Sequence, residues 1–170
     1  PGERERDVAP EGRADQAVSD LEKALSSPAQ RSDAMALLAV TALVQNQNAV
    51  AREWVDQALA QPGAGSAAYI ASSYVQQAGF DLDAAVEAAA VAAQKAPDNA
   101  LAWARLSELY LSVGERARAR SAARRANTLR PELAHTLRVL GFAYLAQIRI
   151  DDAKKAFNDA IAIDSAAPTA

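Results

Sequence analysis

Cysteine is missing from this chain. That removes disulfides, thiolate metal sites and cysteine nucleophiles together, and leaves oxidising and reducing compartments equally open. Aromatic residues make up only 5% of the 170 residues, and there is one Met and one His. A lone imidazole has no second His or Cys with which to hold a metal ion. No run of 18 apolar residues occurs, so no segment is built to cross a membrane as a helix. Catalytic signatures are absent as well: there is no G-x-x-x-x-G-K-S/T loop, no H-E-x-x-H and no G-x-S-x-G. The G-x-G of "GAGS" at 63–66 joins two helical stretches instead of following a strand, which takes away its dinucleotide reading. An excess of cations is lacking too. The formal charge is −3 and the pI about 5.2, against a general nucleic-acid binder, whose affinity rests on neutralising phosphates. These absences predict a chain that is not an enzyme and carries no cofactor and no metal.

What is present is alanine. Hydrophobic residues reach 51% and alanine fills much of that share, so whatever packs here packs with small side chains and close backbones. Alanine has the highest helix propensity and is depleted in strands, which predicts helix against helix.

The sequence also counts in steps. Laying Trp103 over Leu137, a step of 34, lays Leu106 over Leu140, Ser107 over Gly141 and Tyr110 over Tyr144. It also lays Ala119 over Ala153, Ala123 over Phe157 and Ala126 over Ala160. Four of these seven pairs are identical and two more match in size class, which alanine-rich composition alone does not explain. The large residues at 103, 106 and 110 share one face of a helix, and the small residue at 107 or 141 lets a second helix cross close by. In that second helix Ala153 is read as meeting the small site, while Phe157 projects toward the following unit.

Further upstream the pattern weakens. Ile70, Ala71 and Tyr74 are read as a first helix, with Ala85, Ala89 and Ala92 as its partner ended by Pro97. This interval is two residues longer than Tyr110 to Ala119, which predicts a longer turn around Gly79 to Asp83. Met35, Leu38 and Ala39 pair with Ala51, Val55 and Ala58, and Gly12, Ala17, Leu21 and Ala24 supply a turn and second helix only. Helices are expected near 14–26, 32–45, 48–61, 66–78, 82–96, 100–113, 116–129, 134–147 and 150–163. The organisation expected is a disordered start at 1–11, a half repeat at 12–31, repeats at 32–63, 64–99, 100–133 and 134–167, and a tail at 168–170. The start at Pro1 reads as an excised piece of something longer. Asp15, Asp81 or Asp83, Asp98 and Asp151 lie where helices need N-cap oxygens. The pairs Asp81/Asp83 and Asp151/Asp152 do not continue into a calcium-type loop.

The motif L-x-x-L-G-x-x-Y followed by A-x-x-x-F and a further Ala, with W-x-x-L-S-x-x-Y, A-x-x-x-A and Pro131 in the preceding copy, resembles the tetratricopeptide repeat (TPR). The resemblance implies an all-α fold, a right-handed superhelix of about four helix-turn-helix repeats plus a leading half. It implies a non-enzymatic scaffold for protein–protein interaction, holding a peptide or protein segment in the concave groove. In the family the inward positions belong to first helices, and by resemblance the groove residues are Val40, Val44, Val75, Leu101, Glu108, Leu111, His135, Arg138 and Phe142. The family's carboxylate clamp needs Lys, Arg and Asn at positions that here hold Ala36, Val40, Ala68, Ser72, Ala104, Glu108, Arg138 and Phe142. Only Arg138 qualifies, so chaperone recognition is not carried over. The same small apolar lining also suits a spacer that tightens a longer solenoid and has no ligand of its own.

Between Arg105 and Arg138 there are eight Arg against Glu108, Glu115 and Glu132, a local +5, so the remainder carries −8. Arg116, Arg120 and Arg124 lie at i, i+4 and i+8, either as a basic stripe for an acidic partner or as a solvated face paired with acids of adjoining helices. Solenoids finish with polar caps, whereas Phe157, Ala160 and Ile161 are read as facing an absent next repeat. That end face is expected to be covered by the tail "DSAAPTA" or by another chain, which allows self-association. Finally, the run "AAYIASSYVQQAGFDLDAAVEAA" and the two stretches after it, over roughly 66–167, look like the TPR segment of large bacterial proteins that join a FecR-like domain to long repeat arrays. That resemblance implies a bacterial source and a place in the cell envelope or periplasm rather than the cytoplasm.

Overall fold

The computed structural model describes residues 30–166, with Asp20 and residues 24–27 ahead of them. The expected disordered start, most of the half repeat at 12–31 and the tail at 168–170 lie outside the described residues. Eight helices follow: α1 (Arg31–Val44), α2 (Asn48–Leu59), α3 (Ser66–Ala78), α4 (Leu82–Lys95), α5 (Ala100–Ser112), α6 (Arg116–Leu129), α7 (Ala134–Leu145) and α8 (Ile150–Ala166). They pair as α1/α2, α3/α4, α5/α6 and α7/α8, and each odd-numbered first helix also packs on that of the next pair. The described residues contain no strand.

Each second helix buries a stripe of alanines: Ala51 and Ala58 around Val55 in α2, Ala85, Ala89 and Ala92 in α4, Ala119, Ala123 and Ala126 in α6, and Ala153, Ala156 and Ala160 in α8. The i, i+4, i+7 spacing, or i, i+3, i+7 in α8, keeps each stripe on one face, and the absence of side chain beyond Cβ in alanine lets the backbones approach. The stripes serve two neighbours. Alanines of α4 share one cluster with Ala102, Leu106 and Leu109 of α5, and those of α6 share another with Val139, Leu140 and Ala143 of α7. The core is therefore a chain of small clusters, each belonging half to the next repeat.

The turns keep the count. Residues 45–47, 79–81 and 113–115 join their helices with three residues each, and 146–149 joins the last pair. In all four, an N–H bonds a carbonyl five residues back: Gln47 to Ala42, Asp81 to Gln76, Glu115 to Tyr110 and Arg149 to Tyr144. The residue before each donor has positive φ: Asn46, Phe80, Gly114 and Ile148, each 34 residues from the last. This is the Schellman ending, in which one left-handed residue satisfies the last carbonyls. The longer turn expected at 79–83 is not there. In the 34-residue frame Gln76, not Tyr74, is the equivalent of Tyr110; an error of two residues is about 200° around a helix, so it swaps inner and outer faces.

At the hairpin crossings the small positions are Ala39, Ser73, Ser107 and Gly141. A Cβ on Gly141 would lie 2.5 Å from the Phe157 ring. Phe157 thus turns back onto its own repeat instead of reaching forward, and its ring meets Phe142 edge-on, with centroids 5.1 Å apart. The positions equivalent to Phe157 in earlier repeats are Val55, Ala89 and Ala123, small enough to leave room for a Cβ at Ala39, Ser73 and Ser107. Ser107 uses that room to donate its hydroxyl to the Ala119 carbonyl at 2.8 Å.

Candidate functional site: the cleft between α5 and α7

The first helices of the last two repeats, α5 and α7, diverge enough to leave a cleft of about 330 Å³, lined by Glu108 and Leu111 from α5 and His135, Arg138, Val139 and Phe142 from α7. Phe142 is 54% exposed, although its ring is held edge-on by Phe157. A second recess of about 470 Å³ shares Leu111 and Phe142 and continues toward the hairpin turns, adding Gly114, Arg116, Leu145 and Ala146. Together they form a trough with an aliphatic and aromatic floor and cationic rims. Arg138 Nη1 meets Asp164 Oδ2 at 2.9 Å, with both side chains about half exposed. Such a pair contributes at most about 1 kcal/mol, so a ligand carboxylate can compete for the guanidinium.

A polar chain runs under the cleft. Arg105, only 5% exposed, donates from Nε to Ser73 Oγ at 2.8 Å, and from Nη2 to the Ser73 carbonyl at 3.2 Å and Gln77 Oε1 at 2.7 Å. Its guanidinium lies over the Tyr74 ring, 3.7 Å from the centroid. Nη1 meets Glu108 Oε2 at 3.3 Å, and the other oxygen of Glu108 is 3.4 Å from His135 Nε2. A buried cation is tolerable only when its donors are met, and here oxygen acceptors and a ring face meet them. Burial holds the Tyr74 phenol above its ordinary pKa, against the lowering field of Arg105 and with that of Glu108. Glu108 is thus already balanced by Arg105, which leaves Arg138 and Arg116 as the cleft's available charges. None of these groups is arranged as nucleophile and base. Among the described residues no cluster of His, Asp and Glu could hold a metal ion.

No family model matches the sequence, and no curated protein matches it. Solved structures do. MamA superposes with a TM-score of 0.66 at 21% identity over 91% of each chain. The Cut9–Hcn1 hetero-tetramer of the APC/C gives 0.76 at 18% identity, over 95% of this chain and 32% of that one. PilF of Pseudomonas aeruginosa gives 0.71 at 20% identity, over 88% and 65%. All three are TPR proteins. The chain has the TPR fold.

Set on that TPR frame, the residues expected to line the groove separate. Glu108, Leu111, His135, Arg138 and Phe142 come together in one cleft. Val44 is exposed at the end of α1, and Val40 packs against the cluster that Ala36 and Ala39 form with Ala51 and Val55; both lie on α1, two repeats from α5. Leu101 is exposed beside Asp98, Asn99, Arg130 and Leu133, at the other edge of the array. Val75 is a correction: it is 3% exposed and packed with Ala36, Ala39 and Ala71, because the two-residue frame error put a core position on the inner face. In the regular step the inner residues of the second TPR are Ile70, Tyr74 and Gln77. The end face is corrected too. Ala160 is buried against Ala134 and Leu137, Phe157 is turned inward, and only Ile161 stands exposed.

Of the basic stripe, Arg116 borders the second recess, Arg120 donates to Gln147 Oε1 at 2.6 Å, and Arg124 is exposed. Arg105 and Val139 escaped sequence reasoning for opposite reasons. Val139 reads as ordinary core. Arg105 occupies a position where other repeats hold Leu37, Ala71 and Val139, so no periodic signal marks it. N-capping falls on Asp81, which accepts from the Ala84 N–H, and on Asn99 rather than Asp98.

Proposed function

We propose that the chain is an interaction scaffold whose ligand is a peptide or protein segment held in the α5–α7 cleft. The observation that carries this is Phe142: a large aromatic side chain, more than half exposed, fixed edge-on by Phe157 and flanked by Leu111, Val139 and Arg138. A preorganised apolar floor with a cation at its rim is what side-chain recognition of a segment requires. A neighbour of the same fold belongs to the Cut9–Hcn1 hetero-tetramer, which agrees with a scaffold role.

The spacer reading keeps support in the other half of the array. On α1 the inner residue Ala36 is buried, and on α3 Tyr74 and Gln77 are taken up by Arg105, so these positions offer a ligand little surface. The reading is thus divided along the chain: α5–α8 receive, α1–α4 hold distance.

The test is affinity capture from a bacterial envelope extract, the source chosen from the FecR-linked resemblance, with wild type and a folded Phe142→Ala/Arg138→Glu variant as baits. A protein retained by wild type, lost by the variant and rebinding when purified establishes the cleft. Equal retention by both baits, or none by either, leaves the spacer role for the whole array.

A further inference from the structure

Helix α6 carries five arginines, Arg116, Arg118, Arg120, Arg124 and Arg125, and no acidic residue. In a chain of net charge −3 this is the reverse of the average. The acids of adjoining helices do not compensate: among the described residues no ion pair involves any of the five. Arg118 leans over the Tyr110 ring and Arg125 reaches the Pro97 carbonyl, on one shoulder of the helix. Arg116, Arg120 and Arg124 occupy the other. Gln147, from the last hairpin turn, accepts from Arg120 and donates to the Arg116 carbonyl at 2.7 Å, so this shoulder is joined to the rim of the cleft. Arg116 is both the first residue of that shoulder and a wall of the second recess.

We propose that the ligand is bipartite: an apolar anchor seated on Leu111, Phe142 and Leu145, followed by an acidic stretch that leaves past Arg116 and runs along Arg120 and Arg124. This deepens the cleft reading and rests on it. The spacing fits. Successive arginines four residues apart rise about 6 Å along the helix, and alternate residues of an extended strand are about 6.6 Å apart. An Asp or Glu at every second position therefore meets one guanidinium after another, each able to bind a carboxylate with two donors. The exposed residues beside the rail, Ala117, Ser121 and Thr128, are small or polar and give nothing to insert into a bilayer. Three cations on one helix of a net acidic chain also fall short of the roughly 6–10 phosphate contacts of a typical duplex binder.

The experiment is selection of random peptides displayed on phage against the immobilised chain. Selected peptides are then measured by fluorescence anisotropy at two salt concentrations. The variants are Phe142→Ala, Arg120→Glu/Arg124→Glu and the charge-retaining Arg120→Lys/Arg124→Lys, each first checked for helicity and thermal unfolding. The expected peptides carry an aliphatic or aromatic residue beside several Asp or Glu. They lose at least tenfold in affinity on Arg120→Glu/Arg124→Glu, lose far less on the Lys pair, and bind with a shallower salt dependence once the rail is reversed. Peptides that need Phe142 but ignore the rail overturn the bipartite ligand and leave the cleft standing. No peptide dependent on Phe142 overturns both. Duplex DNA or phosphatidylserine vesicles binding the rail more tightly than the peptides would assign it to phosphates instead, and the proposal falls.

Discussion

Gly141 and Phe157 are a single feature in two letters. The ring occupies the space a Cβ would need, so Gly141→Ala overpacks the crossing and should cost about 1–3 kcal/mol. Phe157→Ala costs stability by the opposite route, leaving a void. The double variant Gly141→Ala/Phe157→Ala should lose clearly less than the sum of the two, with a coupling of roughly 0.5–3 kcal/mol. Urea unfolding of the four proteins measures it; strict additivity would mean that the ring moves aside freely. Size was legible at these positions and direction was not. The small residues at 107 and 141 announce a close crossing, yet spacing alone assigned Phe157 outward, because the side chain's lean along its helix is set by rotamer and neighbours rather than by position.

The hairpin turns show what repetition conceals when its letters drift. The left-handed residue recurs every 34 residues, but it is Asn46, Phe80, Gly114 and Ile148, and only Gly and Asn advertise the conformation. Ile148, β-branched and 80% exposed, has φ of 60°. It bears strain of about 1–3 kcal/mol with little burial in return. Ile148→Gly should therefore stabilise the protein by about 0.5–1 kcal/mol once glycine's larger unfolded-state entropy is deducted, and Gly114→Ile should destabilise it. Thermal unfolding of both variants checks the pair, and a destabilised Ile148→Gly would show that the exposed side chain packs on something in solution. The aromatic at Tyr74 misled the frame for the same reason. A strong letter two residues out of step outweighed a weak one, Gln76, in step, and with the frame went the inner face of the second repeat and the assignment of Val75.

Over the whole array, the all-helical architecture and its repeat count were readable because they rest on many weak positions. The cleft was readable in five of its six residues because α5 and α7 hold the two clearest copies of the motif. Its support was not: Arg105 is a charge at a core position, and nothing in one sequence tells where a buried guanidinium finds acceptors 28 to 32 residues away. Arg105→Met keeps much of the volume and strands Ser73 and Gln77. It should cost roughly 1–3 kcal/mol, a few degrees of melting temperature per kcal/mol in a chain of this size. It should also raise hydrogen exchange in α3 and α5 together, whereas faster exchange in α5 alone would show that the contact does not couple the repeats. The same side chains divide the array into two kinds of seam. From Gln77 through Arg105 and Glu108 to His135, and again through Gln147, polar contacts stitch the second, third and fourth repeats in series. Among the described residues no side-chain hydrogen bond links α1 or α2 to α3 or α4. There the first repeat is joined to the second by apolar packing instead, Ala36, Ala39 and Val55 against Ala71 and Val75, a dry weld at one end of an array that is riveted along the rest of its length.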